Sequence, residues 1–241
     1  MLLAMDTSTR YGGVALTHEG RVVASHTWYS RYNHTAELMP AVVHILEHLS
    51  LTAADLDGVA VALGPGGFSA LRVGISAAKG LVLVAKKPII GVGTLDLEAH
   101  PYIGSGAPVC ALLEAGREEC ATALFGPGGA RIREDRVCNA GDLMAEIEVE
   151  ISGPAIFCGE GVVLWREQIE NRFGANAQIV RPIPAARVWA LAVIGQEKLA
   201  AGESDDLTTL QPEYLRMPSI GVPKRRDRIP QGGRQVWKPV R

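Results

Sequence analysis

Hydrophobic and polar positions alternate in short stretches at the start of the chain. Leu2 to Asp6, Gly13 to His18 and Arg21 to Tyr29 are β-rich runs parted by polar turns, which predicts a three-stranded meander. From Thr35 to Leu49 the period changes: Leu38, Val42, Ile45, Leu46 and Leu49 recur at helical spacing, while Glu37, His44, Glu47 and His48 fall off that stripe. Val59 to Leu63 then reads as a buried strand ending in Gly64-Pro65-Gly66-Gly67. A helix from Ser69 to Lys87 is stopped by Pro88, and Ile89 to Val92 gives a further strand. The predicted order of the first half is βββαβαβ.

The second half replays the plan. Pro108 to Glu114, Cys120 to Phe125 and Arg131 to Cys138 match the three opening strands, Asp142 to Glu148 matches the first helix, and Ala155 to Cys158 ends in Gly159-Glu160-Gly161 where the first half has its glycine turn. Val163 to Arg172 follows as a helix. The long amphipathic segment Pro184 to Ala201 is expected to pack back on this second half. A break at Pro101 to Pro108 divides the chain into lobes at 1–104 and 105–216, and 217–241, rich in Pro and Gly, reads as a flexible tail.

Composition narrows the function classes. With 47% hydrophobic residues the 241-residue chain has ample material for a core, and a net charge of -2 excludes whole-protein electrostatic binding of nucleic acid. Seven Lys/Arg and one Asp lie in 217–241, so the basic charge is concentrated there. Apolar runs such as Leu81 to Ala85 are too short to span a bilayer, and Met1 is followed by no basic stretch, which together predict a cytoplasmic chain with no membrane contact. Cys110, Cys120, Cys138 and Cys158 form no C-x-x-C pair, which predicts reduced thiols rather than a zinc or dithiol site.

Three segments could carry chemistry. Asp6-Thr7-Ser8-Thr9 before Gly12-Gly13 is suited to phosphate, with an acidic group near a metal and hydroxyls on the anion, and is equally suited to capping a hairpin. Gly64, Gly66 and Gly67 before a helix N-terminus can approach an anion or make a tight packing turn, but the segment lacks the Lys and Ser/Thr of a Walker loop. Ala70, Gly74, Ala77, Ala78 and Ala85 form a small-residue ridge that admits another helix, whether from this lobe or another subunit. His44 and His48 stand one turn apart, yet the order is H-x-x-E-H, no third ligand is at hand, and a solvated helix face accounts for both. No metal site and no catalytic residue is predicted.

Met5-Asp6-Thr7-Ser8, the helix start His34 to Pro40, the segment Gly64-Pro65-Gly66-Gly67-Phe68-Ser69-Ala70-Leu71-Arg72-Val73-Gly74, and Pro212-Glu213-Tyr214-Leu215-Arg216 together resemble the TsaB (YeaZ) family over residues 1–216. The family more often reads G-P-G-S-F-T-G-L-R in the glycine segment, so Gly67, Ser69 and Ala70 depart from it. The resemblance implies an α/β fold of the two-lobed actin-like ATPase type (ASKHA, a duplicated RNase H-like unit with mixed sheets). It also implies a non-catalytic role beside TsaD, which places a threonylcarbamoyl group on adenosine 37 of ANN-decoding tRNAs, with TsaE as the ATPase. ATP or ADP is then expected at the complex interface and not as an intrinsic cofactor.

The family's partner face maps onto Thr35, Leu38, Met39, Val42, Ala70, Leu71, Val73, Gly74, Ala77, Ala78 and Leu81. Thr94 and Glu98 fall where TsaD has its metal-binding histidines, so the resemblance implies that site is missing. Glu114 to Glu119 departs from the family's Asp-Ala-Arg pattern. Lys224, Arg225, Arg226 and Arg228 are candidate tRNA phosphate contacts. Two other functions compete: a small ATP-binding hydrolase or kinase using Asp6, and a homodimeric scaffold.

Overall fold

The structure, a computed structural model, describes residues 1–216. The tail and its basic residues, Lys224, Arg225, Arg226 and Arg228 among them, lie outside the described residues. β1 (Leu2–Asp6), β2 (Tyr11–His18) and β3 (Arg21–Tyr29) form the meander, and β4 (Gly58–Gly64) and β5 (Ile89–Gly93) join parallel to β1, in the order β3-β2-β1-β4-β5. β6 (Val109–Gly116), β7 (Glu119–Phe125), β8 (Arg131–Asn139), β9 (Ala155–Cys158) and β10 (Ala177–Ile179) repeat that arrangement as β8-β7-β6-β9-β10. The two sheets have one topology, so the repeat legible in the sequence is a structural duplication. The short strand β10 has too few residues to show in the hydrophobic pattern.

α1 (His34–His48) and α2 (Phe68–Ala85) cover one face of the first sheet, and α4 (Ala140–Glu150) and α5 (Val162–Phe173) cover one face of the second. β1 and β4 are buried at every position, which means their other face must be covered as well. α6 (Pro184–Ala200) provides that cover. Its Val188, Ala190, Leu191 and Ala192 pack on Leu2, Ala4, Ala15, Ala60 and Val92 of the first sheet.

The expectation that this helix packs on the second lobe is therefore wrong. The partner it was assigned already has a cover: α3 (Thr94–Ala99), from the end of the first repeat, buries Leu95 and Ala99 against Val109, Ala111, Leu113 and Ala121 of the second sheet. The last helix of each repeat thus crosses to the other repeat's sheet, and α3 and α6 pack on each other between them. Each fully buried Leu or Val in this exchange is worth about 1.5–3 kcal/mol.

α2 has a mean hydropathy of 1.5 over 18 residues, enough by length and composition to cross a bilayer. It is amphipathic on the sheet all the same, since Leu71, Ile75, Ala78 and Val82 are buried while Leu83 and Val84 are exposed.

Candidate functional site

A cleft of about 1200 Å³ opens between the lobes. Its walls are the β1–β2 turn (Ser8 to Arg10) and the glycine turn (Gly66 and Gly67) on one side, and Glu114 to Arg117, Glu160, Val163 and Leu164 on the other. Glu213 to Arg216 closes one end. Tyr214 stacks on Phe68 with centroids 5.0 Å apart, and the Arg72 Nε donates to the Tyr214 hydroxyl at 3.2 Å. The Glu213 N–H donates to the Leu63 carbonyl at 2.8 Å, and Arg216 pairs with Glu119 of β7 at 2.6 Å, so this segment straps the glycine turn to the second lobe. Burial, with Asp96 close by, holds the Glu213 carboxyl above its usual range.

The glycines have different reasons to be there. A Cβ on Gly66 would stand 2.2 Å from the Ser8 carbonyl, and Gly64 has φ +124°, a backbone that side chains disfavour. Gly67 donates its N–H to the same Ser8 carbonyl at 2.8 Å. Of the residues nominated for phosphate, Gly66 and Gly67 are open to the cleft, whereas Asp6, Thr7, Ser8 and Gly64 are buried. The Thr7 hydroxyl donates to the Ala70 carbonyl at 2.7 Å, and Ser8 donates both its N–H (2.8 Å) and its hydroxyl (2.7 Å) to Asp6. Those groups hold the β1 turn against α2, as a hairpin cap does.

Beneath the cleft, bonded to its lining residues Thr9 and Glu160, lies a side chain that the sequence pattern does not single out. Arg187 of α6 is 2% exposed and donates from all three guanidinium nitrogens. Nε donates to Asp6 at 2.5 Å, Nη1 to Glu98 at 3.0 Å and Glu160 at 2.6 Å, and Nη2 to the Thr9 hydroxyl at 2.8 Å and the Tyr11 carbonyl at 2.9 Å. Burial opposes the guanidinium's charge, but Asp6, Glu98 and Glu160 outweigh it and hold the pKa well above the usual arginine value. Burial raises Glu98, with Arg187 opposing that shift. The sequence carries one signal for this site: in α6 Arg187 stands four residues before Leu191, on the face that the helix buries.

An adenine nucleotide, which an actin-like fold implies, needs both anion donors and room for its metal. The start of α2, where Gly67 makes no side-chain cap, fits the anion. Asp6, Glu98 and Glu160 do not fit the metal, because these three carboxylates are already hydrogen-bonded to Arg187. Thr94 and Glu98 are both buried, with the Thr94 hydroxyl unpartnered and Glu98 on Arg187.

The residues nominated for a partner face divide in two. Leu38, Val42, Leu71, Gly74 and Ala78 are buried in the first lobe's own interior, where they anchor α1 and α2. A Cβ on Gly74 would lie 2.6 Å from the Thr7 hydroxyl oxygen, so part of the small-residue ridge serves the β1 turn. Thr35 and Met39 are exposed, and Ala70, Val73, Ala77 and Leu81 are half-buried. Val43 and Val84 extend the exposed set, at 47% and 84% exposure.

His44 and His48 are both exposed on α1, and His44 lies edge-on to His26. Among the described residues no group of three or more His, Cys, Asp or Glu is arranged so that it could hold a metal ion. The four cysteines are unbridged. Cys120 and Cys138 are cross-strand neighbours, and hydrogen bonding from the Cys120 thiol, aided by Arg136, lowers Cys138 to about 7.

Two duplicated lobes exchanging a helix around a central cleft define an actin-like ATPase fold, and a solved structure agrees. YeaZ from Pseudomonas aeruginosa superposes with a TM-score of 0.70 at 24% identity, covering 88% of this chain and 98% of that one. A family model described as "TsaD: tRNA N6-adenosine threonylcarbamoyltransferase" matches residues 27–220. The tRNA threonylcarbamoyladenosine biosynthesis protein TsaB of Bacillus subtilis (strain 168) is 30% identical over 220 residues, covering 90% of this chain and 94% of its own. The Escherichia coli (strain K12) protein of the same description is 40% identical over 94 residues, covering 39% of this chain and 40% of its own. The chain belongs to the TsaB (YeaZ) family of tRNA threonylcarbamoyladenosine biosynthesis proteins.

Proposed function

We propose that the chain is a non-catalytic adaptor that docks a TsaD-type catalytic subunit and makes it competent to modify adenosine 37 of ANN-decoding tRNAs in the cytoplasm. One observation carries the reading: an apolar strip on two adjacent helices of the first lobe. Met39 and Val43 on α1 and Ala70, Val73, Ala77, Leu81 and Val84 on α2 recur at three- and four-residue spacing with no charged side chain among them. The family membership supplies the pathway. The engagement of Asp6 by Arg187 counts against the competing ATP hydrolase or kinase.

In this reading a TsaE-type ATPase joins the assembled pair, ATP or ADP binds at the complex interface, and the seven basic residues of 217–241 add sequence-blind phosphate contacts to tRNA. Light scattering on the chain mixed with the TsaD-type protein of its own genome tests the docking. A one-to-one complex is expected. Separate elution at micromolar concentration sinks the adaptor reading, and a stable homodimer that the catalytic subunit fails to displace replaces it with a scaffold. Truncation at Met217 is expected to weaken tRNA binding by the complex, most at low salt.

A further inference from the structure

We propose that Arg187 is the internal cation of the cleft, a latch that holds the two lobes at a fixed closure in the space a ligand-borne cation would need. A guanidinium has five N–H donors. Here all five are used, on Asp6, Glu98, Glu160, the Thr9 hydroxyl and the Tyr11 carbonyl. The acceptors come from three parts of the molecule. Asp6, Thr9 and Tyr11 belong to the β1–β2 hairpin of the first lobe, Glu98 to the crossing helix α3, and Glu160 to the turn after β9 in the second lobe.

The latch is double across the boundary between lobes, since the Thr9 hydroxyl also donates to Glu160 at 2.7 Å. Removing a guanidinium from water is costly, and the cost is offset only where every donor is matched and countercharge is close. Three carboxylates on one cation supply that here. A lysine cannot reproduce the geometry, because an ammonium has three donors radiating from one point. The lobes are therefore joined by a charged, saturated cluster, whereas a cleft that opens and shuts around a ligand would leave these carboxylates for the ligand's own cation. Most of the cluster lies beneath the cleft with its side chains out of solvent: Asp6 is 1% exposed and Arg187 2%.

The test uses the full chain alone, so its outcome is independent of the partner reading. Glu160→Ala removes the acceptor from the second lobe at a partly exposed position, and Arg187→Lys keeps the charge but loses the fork. Hydrogen exchange followed by mass spectrometry, with X-ray scattering on the same samples, reads the closure. Both variants are expected to speed exchange on the order of tenfold in two turns together, Thr7 to Arg10 and Gly159 to Val162, with a larger radius of gyration and unchanged exchange in β6 and β7.

Faster exchange throughout both sheets would show a merely structural ion cluster and overturn the proposal, as would unchanged exchange in Gly159 to Val162. If Arg187→Lys does not fold, Glu160→Ala alone decides. Millimolar magnesium–ADP is expected to leave the wild-type exchange of these turns unaltered. Protection of both turns by that ligand would mean the cleft accepts a ligand-borne cation beside Arg187, and the proposal would fail.

Discussion

The two lobes share one strand order but their outer helices differ in kind. α1 and α2 run 15 and 18 residues, against 11 and 12 for α4 and α5. α2 contains only Arg72 and Lys79 as charged residues, while the shorter α5 has Arg166, Glu167, Glu170 and Arg172. In the second lobe the helix surfaces are laced by ion pairs, Arg172 with Glu148, Arg133 with Glu146 and Glu150, and Arg166 with Glu170. A duplicated fold needs the same core face in both copies, so divergence accumulates on the outer face. Both helix pairs expose apolar side chains, Met39, Val43, Leu83 and Val84 in the first lobe and Val149, Val163 and Leu164 in the second, but the second lobe's stand among ion-paired neighbours.

The strongest way to break the comparison is at the paired glycine turns. Gly64 (φ +124°) and Gly159 (φ +91°) occupy equivalent corners, and a Cβ would stand 2.6 Å from the Glu213 carbonyl in one and 2.3 Å from the Leu112 carbonyl in the other. Gly64→Val and Gly159→Val should each cost about 4 kcal/mol in urea unfolding, from backbone strain plus overpacking. A small loss at one of them would end the claim that the turns are equivalent.

The exchanged helix comes next. Leu191→Ala in α6 and Ile169→Ala in α5 should each lose about 3 kcal/mol. Hydrogen exchange should place the Leu191 defect in β1 to β3 and the Ile169 defect in β9 and β10. Loss of protection in the second sheet upon Leu191→Ala would contradict the crossing of α6.

A smaller effect sharpens the contrast between surfaces. Ala77→Arg on α2 and Gln168→Arg on α5 should both leave stability within about 0.5 kcal/mol. Only Ala77→Arg is expected to weaken binding of the TsaD-type protein, by about tenfold or more in a titration. Equal weakening by both would remove the distinction. Gly74 is the wrong probe for this, since its substitution would strike Thr7 inside the lobe.

The least effect belongs to the ion pairs of the second lobe. Hydrogen bonding from Arg136, then Arg133, holds Glu146 below the usual carboxylate range. A lowered folded-state pKa contributes stability at pH above the ordinary carboxylate value, and that contribution is lost as pH falls through the lowered value. Arg133→Ala should therefore cost at most about 1 kcal/mol at neutral pH and shrink the loss on acidification. A wild-type acid profile would show that the pair adds nothing.

Much of this was legible in the chain. The strands β1, β3 and β9 have the bounds their hydrophobic runs suggested, because alternation and buried runs are local properties. The glycine segment joins strand to helix as the sequence indicates, and both of its readings, a packing turn and an anion contact, remain compatible with Gly64 buried and Gly66 and Gly67 open to the cleft. α3 was not read, because six residues are too few to show a helical period, and its apolar residues serve a sheet that begins later in the chain.

The outer surface of α1 and α2 was half legible. Periodicity marks an apolar stripe but cannot distinguish the buried Leu71, Gly74 and Ala78 from Val73, Ala77 and Leu81, which lie half-buried at the edge of the same core. The cleft was the least legible part. Asp6 was visible as an acid at a strand end, but its counterion stands 181 residues away.

By itself the sequence determined the duplication, the family, and the strands and helices other than α3 and β10, because those rest on patterns within a few residues of one another. Tertiary structure alone decided that α3 and α6 trade sheets, that Arg187 lies among Asp6, Glu98 and Glu160, and which side of α2 meets water. The physical reason is common to all three. Burial of a sheet's second face and pairing of a buried charge are satisfied by whichever element reaches the spot in space, and distance along the chain places little limit on that.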